Sequence, residues 1–252
     1  MSASSSPPQQ RVRCNEMVLF DIETNIFPIE VIEFGAIIVD KFVSLERKKI
    51  DRDQPFFFLL TSISLCVLQS YVELERRHTM IQPLSGSISA RATDIHGISF
   101  EDLQESPLFA AVAPMLFGAL DGRVWCGHNI NSFDVPQLTK AFVAASHPVP
   151  VPCATLDTLP LVRRIFGKRA GDCKMATLGR YFGLGTEKHR AIDDCEMTLA
   201  ALKCIGLHNL LEREMPSTFP KFTAPVVSAA AAVANVVPIV AATAVIAVDQ
   251  TK

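Results

Sequence analysis

The run Val18-Leu19-Phe20-Asp21-Ile22-Glu23 puts two carboxylates on a segment whose other side chains demand burial. It is short, apolar and rich in strand-favouring residues. Side chains two apart on a strand share a face, so Asp21 and Glu23 point the same way. Any fold that buries Val18, Leu19 and Phe20 must therefore bring two like charges together at a strand end. Either that face is open and both acids are solvated, the ordinary fate of an isolated pair of this kind, or a cation meets them. Hard carboxylate oxygens select Mg²⁺ or Mn²⁺ for that role.

The rest of the chain offers an α/β frame. Val31 to Asp40 reads as a second strand, Tyr71 to Ile81 as a third, and Arg123 to Cys126 as a fourth. Phe109, Val112, Ala113 and Leu116 recur at helical spacing between Pro107 and Leu120, with Gly122 beyond the end. Further helices are expected over Pro136–Ala145, Leu159–Phe166, Ala176–Phe182 and Asp193–Leu211. Strands followed by alternating helix and strand signals predict a mixed sheet flanked by helices.

Two more acidic motifs follow. Asp134 comes after a predicted strand and a polar turn, His128-Asn129 to Ser132-Phe133, and faces the end of the sheet. Asn129 can orient a neighbouring ligand from behind, or both residues can simply serve the turn and the helix cap. Asp194 falls in the first turn of the last helix, where the dipole also favours an acid. Five residues earlier stands His189, and an imidazole can take a proton from a polarised water near neutral pH. Arg163, Arg164, Lys168, Arg169, Lys174, Arg180, Lys188 and Arg190 face only Asp172 and Glu187 in the same interval. That local excess suits a phosphate backbone, or else is a solvated helix face.

Length and charge bound the rest. The 252 residues are 49% hydrophobic and 20% charged with net charge −2, so any nucleic acid must meet a local basic surface. Seven scattered cysteines with no C-x-x-C pair fit a reducing compartment, cytoplasm or nucleus, without a disulfide framework or zinc site. Residues 1–16 read as a flexible leader and 17–211 as one folded α/β domain. Residues 212–252 form a low-complexity Ala/Val-rich tail, read as such rather than as a membrane anchor because of Asn235, Pro238 and its weakly hydrophobic alanines. Residues 41–69, with Phe56-Phe57-Phe58-Leu59-Leu60 and Leu65-Cys66-Val67-Leu68, are an atypical insertion where neighbouring strands normally need a few residues.

Phe20-Asp21-Ile22-Glu23-Thr24, His128-Asn129 with Ser132-Phe133-Asp134, and His189-Arg190-Ala191-Ile192-Asp193-Asp194 resemble the Exo I, Exo II and Exo III motifs of the DEDDh (DnaQ-like) 3′–5′ exonucleases. Ile95-His96-Gly97-Ile98 is similar to that family's terminal-nucleotide segment, and Leu156-Asp157-Thr158-Leu159 to its next strand. Arg169-Ala170-Gly171-Asp172, Lys174-Met175-Ala176-Thr177-Leu178 and Tyr181-Phe182-Gly183-Leu184-Gly185 resemble the plant NEN-type (NAC-dependent exonuclease-domain) proteins, linked to sieve-element enucleation. The resemblance covers about Met17–Asp40 and Tyr71–Leu211.

It implies a ribonuclease H-like mixed five-stranded sheet flanked by helices. It also implies that Asp21, Glu23, Asp134 and Asp194 hold two Mg²⁺ ions, for which Mn²⁺ can substitute, and that His189 is the general base. Asp193 is acidic too, but the family's spacing from His189 selects Asp194. Thr24, Ile95, His96 and Asn129 are implied substrate contacts. The implied substrate is a single-stranded DNA or RNA 3′ end, with nucleoside 5′-monophosphates released and no small-molecule cofactor. The alternative is a nucleic-acid-binding module whose catalysis is lost because the insertion keeps two core strands from pairing.

Overall fold

The computed structural model describes residues 15–40 and 72–214; the leader up to residue 14, the insertion at 41–69 and the tail from 215 lie outside the described residues. Five strands form one sheet: β1 (Glu16–Asn25), β2 (Glu30–Asp40), β3 (Val72–Met80), β4 (Val124–Gly127) and β5 (Ala154–Asp157), in the order β3-β2-β1-β4-β5. β1 pairs antiparallel with β2 and parallel with β4, so the strand that carries Asp21 and Glu23 is central. A central strand is buried on both faces, which explains its near-continuous apolar start. Six α-helices, α1 (Ala90–His96), α2 (Phe109–Leu120), α3 (Asp134–Ala144), α4 (Thr158–Phe166), α5 (Met175–Phe182) and α6 (Ala191–Glu214), and two short 3-10 helices, Glu101–Leu103 and Gly167–Ala170, complete the described chain.

Alternation along β1 feeds two cores. Val18, Phe20 and Ile22 pack with Phe34, Trp125, Leu116 and Phe142 under α2 and α3, where the Phe20 and Trp125 rings meet edge to face at 5.5 Å. Met17 and Leu19 pack on the opposite face with Val162, Leu178, Phe182, Leu199 and Leu202 from α4, α5 and α6. Continuing that second face, the next two side chains are Asp21 and Glu23. β1 pairs with β4 only from Met17 to Leu19, so the two strands part just before the acids. The apolar face thus gives way to carboxylates where the sheet opens.

The premise of an unpaired sheet does not hold. β2 and β3 pair from Asp40↔Val72 to Glu33↔Met80, so the chain on either side of residues 41–71 is held in register. β3 is one of the two edge strands, and its charged residues, including the Arg76–Glu73 ion pair at 3.0 Å, suit an edge. Helix α1 has no counterpart in the sequence reading. Only Ala92 and His96 of its seven residues are buried, too few to make a visible period, and Gly97 closes it in the left-handed conformation at φ 73°. Among the described residues no helix is long and apolar enough to cross a membrane.

One close approach fixes the last helix. A Cβ at Gly35 of β2 would lie 2.6 Å from the carbonyl carbon of Ala191, so only glycine lets the start of α6 sit directly on the sheet. The neighbour is backbone and cannot rotate away. Gly35→Ala is expected to cost about 1–3 kcal/mol of stability, seen in urea unfolding as a lower midpoint at unchanged slope.

Candidate active site

Four chain segments converge where β1 and β4 separate. β1 presents Asp21 and Glu23, and a register shift between Glu23 and Thr24 bends the strand at that point. Beyond Leu19, β1 has no partner on its β4 side, and the N–H of Ile22 donates instead to Asp134 Oδ1 at 3.2 Å. Asp134 opens α3 and is 4% exposed. The turn before it bends through Asn129 at φ 64°, a conformation that asparagine tolerates better than most residues.

That turn is held from β5. Asp157 accepts the backbone N–H groups of Asn129 (2.9 Å) and Asn131 (3.2 Å) and caps α4 by accepting that of Leu159 (3.0 Å). His128 Nδ1 shares a hydrogen bond with Thr158 Oγ1 at 2.8 Å, tying the same turn to the start of α4.

The fourth segment is the loop into α6. His189 takes φ 52°, and Asp194 follows on the first turns of the helix, its N–H donating to Arg190 O at 2.9 Å. Glu23, His189 and Asp194 each bring one donor atom to within 4.8 Å of the others. Glu33 of β2, the direct neighbour of Glu23 across the ladder, is 1% exposed and meets this loop from beneath. It accepts from Arg190 Nε (3.1 Å) and Nη2 (2.9 Å), from the Ala191 N–H (3.2 Å), and pairs with His78 Nε2 at 2.7 Å.

The electrostatics of the two buried carboxylate groups are opposite. Burial alone would raise Glu33, but its bonds to Arg190, His78 and Ala191 hold it below the usual carboxylate range. In the basin burial and like charge prevail instead. Burial, reinforced by the charges of Asp134, Glu23, Asp194 and Glu187, pushes Asp21 well above its ordinary value. Burial and Asp194 push Glu23 up to about 8. Asp134 rises to about 7 and Asp194 to about 6, burial being the largest cause in each. Asp194 Oδ1 is also buried with no hydrogen-bond partner. A cluster of oxygen donors held together at this electrostatic cost, with one oxygen left bare, fits hard divalent cations.

All five residues of the proposed quintet therefore reach one basin. The four implied substrate contacts divide. Ile95 is 47% exposed, Thr24 is half-buried beside Glu23, and Asn129 is half-buried in its turn. His96, in contrast, is 4% exposed, and its Nδ1 accepts the N–H of Ile98 at 3.0 Å, so its ring orders this segment from within. The basic flank also needs revision, because Arg190 is bound to Glu33 and Lys188 to Asp193. Beyond the place of Asp157 in a family-like segment, the sequence does not mark Asp157 or Glu33 as supports for these loops. A strand acid among Val and Ile residues carries no local signal of partners that lie up to 158 positions away.

The RNase_T model, described as Exonuclease, matches residues 60–202, an interval that begins after Asp21 and Glu23. Arabidopsis thaliana NEN4 is 37% identical over 209 residues, covering 81% of this chain and 71% of its own length. The chain spans only 36%, 37% and 38% of three longer NEN relatives. The 3′-5′ exonuclease DinG of Bacillus subtilis is 31% identical over 140 residues, covering 55% of this chain and 15% of that protein. Among solved structures, a zinc-bound E. coli exonuclease I complex with single-stranded DNA aligns at a TM-score of 0.58 and 15% identity, over 81% of this chain and 42% of that one. The fold is accordingly ribonuclease H-like.

The raised carboxylates set a pH dependence. Their folded-state values exceed those of the unfolded chain, so the folded state holds more protons between about pH 5 and pH 8, and stability falls as pH rises through that window. In EDTA the melting temperature is expected to drop from about pH 5 to about pH 8, and Mg²⁺ to restore more of it at the higher pH. A melting temperature that climbs across this interval in EDTA would show that the acids are not held together.

Proposed function

The chain belongs to the exonuclease family of the RNase_T model, in the DEDDh group with the plant NEN proteins, and we propose that it is a metal-dependent 3′–5′ exonuclease. In this reading it releases nucleoside 5′-monophosphates from single-stranded ends. The observation that carries the proposal is the convergence of Asp21, Glu23, Asp134, Asp194 and His189 at the opening between β1 and β4, with Asp194 Oδ1 buried and bare. The polarity follows the relative DinG, named as a 3′-5′ exonuclease, and the single-stranded substrate follows the exonuclease I complex.

The four carboxylates would hold two Mg²⁺ ions. Bound there, the ions supply Lewis acidity to the attacking water and to the departing 3′ oxygen. The chain's own residues do the rest. His189 is half-exposed, so it can reach a water at the mouth of the basin, with Nε2 lying 3.9 Å from Glu187 Oε2. It takes the proton as the water oxygen bonds to phosphorus and the bond from phosphorus to the 3′ oxygen breaks. Exposed Ile95 offers an apolar surface to the terminal nucleotide. Exposed Arg163, Lys168, Lys174 and Arg180 on and between α4 and α5 form a positive flank for the phosphate backbone.

The test uses the full chain and 5′-labelled single strands of matched DNA and RNA sequence with Mg²⁺. Shortening should proceed from the 3′ end and stop in EDTA. Asp21→Ala should abolish it, and His189→Ala should slow it by about 10²–10⁴-fold. Robust cleavage by both variants would remove these residues from the site.

A further inference from the structure

We infer that Glu33 is a positioning residue for His189, acting through the guanidinium of Arg190 and the backbone N–H of Ala191. The inference rests on the exonuclease reading above, and it adds a residue outside the quintet. His189 has little else to fix it. It stands in a loop with positive φ, and of the groups facing its ring Glu187 is 3.9 Å away, beyond hydrogen-bond reach. The next two residues, however, are both fastened. Arg190 offers Nε and Nη2 to the two oxygens of Glu33, and Ala191 gives its N–H to Oε2 at 3.2 Å.

The geometry of β2 makes this a register device. Glu33 and Gly35 are two apart on the strand and so face the same side. Glu33 grips Arg190 and Ala191 while Gly35 lets the Ala191 backbone rest against the sheet. Side-chain grip and backbone contact together fix Ala191 in height and in rotation. His189 is two residues before that fixed point, and Glu33 is the ladder partner of Glu23, one of the acids His189 must face. An aliphatic residue at 33 would fill the space but leave the Arg190 charge and the Ala191 N–H without partners. His78 closes the remaining side of Glu33 from β3.

The test compares Glu33→Gln with the parent chain, alone and in the His189→Ala background. Glu33→Gln should lower kcat by about 10–100-fold, with KM held within roughly twofold. In the His189→Ala background it should lower kcat no further, because a residue that works through His189 has nothing left to position. A purely structural role would give the same loss in both backgrounds, and that additive result overturns the inference. Arg190→Lys, which keeps the charge but not the two-nitrogen grip, should reproduce the kcat loss if Glu33→Gln does not fold. Parental kcat in Arg190→Lys also overturns it. Amide exchange at Ala191 should quicken in either variant, and unchanged exchange counts against the inference. A parent chain that cleaves nothing refutes the exonuclease reading, and exchange at Ala191 still decides the Glu33 contact.

Discussion

Mutual repulsion among the basin carboxylates is the constraint to which the rest of the structure answers. Glu23 and Asp194 bring oxygens to within 4.8 Å, where two full charges repel by roughly 3 kcal/mol at the effective dielectric of a protein site. Asp21 and Asp134 add to the load, and both are pushed toward the protonated form. Without bound cations the basin therefore favours coming apart. What prevents this is a central strand packed on both faces, with the acids placed directly after a run of four buried residues, Met17 to Phe20. The repulsion is opposed by hydrophobic burial that cannot be lost one residue at a time.

Packing alone does not position loops, whose main-chain N–H groups need acceptors wherever water is excluded. Three buried polar residues supply them. Asn25, fully buried at the end of β1, accepts from Ser89 N–H at 2.9 Å and donates to Ser87 O at 3.2 Å, which fixes the approach to α1 and Ile95. Asp157 gathers the Asn129 turn, and Glu33 gathers the His189 loop. Each sits on or at the end of a strand and reaches to a different loop. The rigid sheet thereby sets the relative placement of groups that lie more than a hundred residues apart. Of the three, Glu33 also binds a cation, holding the Arg190 guanidinium at the start of α6.

The basin is legible from sequence through the order of its motifs and their likeness to Exo I, Exo II and Exo III. Two acids on an apolar strand, an acid at a helix start and a histidine in a glycine-bounded loop are each ordinary alone. Four of the five strands and the long helices are legible from their residue pattern, whereas β5 is marked only by the family resemblance of Leu156 to Leu159. The supporting residues are not legible in this way, and for a physical reason. Asp157 looks like any helix cap, which it is, and only the folded chain shows it serving Asn129 and Asn131 as well. Arg190 looks like one more member of a basic flank until Glu33, 157 positions away, is seen to bind it. His96 matched a substrate-contact motif, yet burial turns its ring inward and leaves Ile95 as the outward side chain. Local pattern reports what a residue is, and the topology decides which neighbour it meets.

Topology also explains why an insertion between β2 and β3 is compatible with an assembled basin. β2 runs antiparallel to β1, so Glu33 lies beside Glu23 at the acidic end while Asp40 lies beside Glu16 at the other. Seven residues of strand separate Glu33 from Asp40, roughly 23 Å at the usual rise. Residues 41–71 leave at Asp40 and return at Val72, its ladder partner, on the far end of the sheet and at the edge away from β4. That junction is one ladder removed from the acids, because β1 is bonded to β2 and β4 and not to β3. An interruption of the same length at Asn25–Glu30, between β1 and β2, would instead enter at the acids themselves.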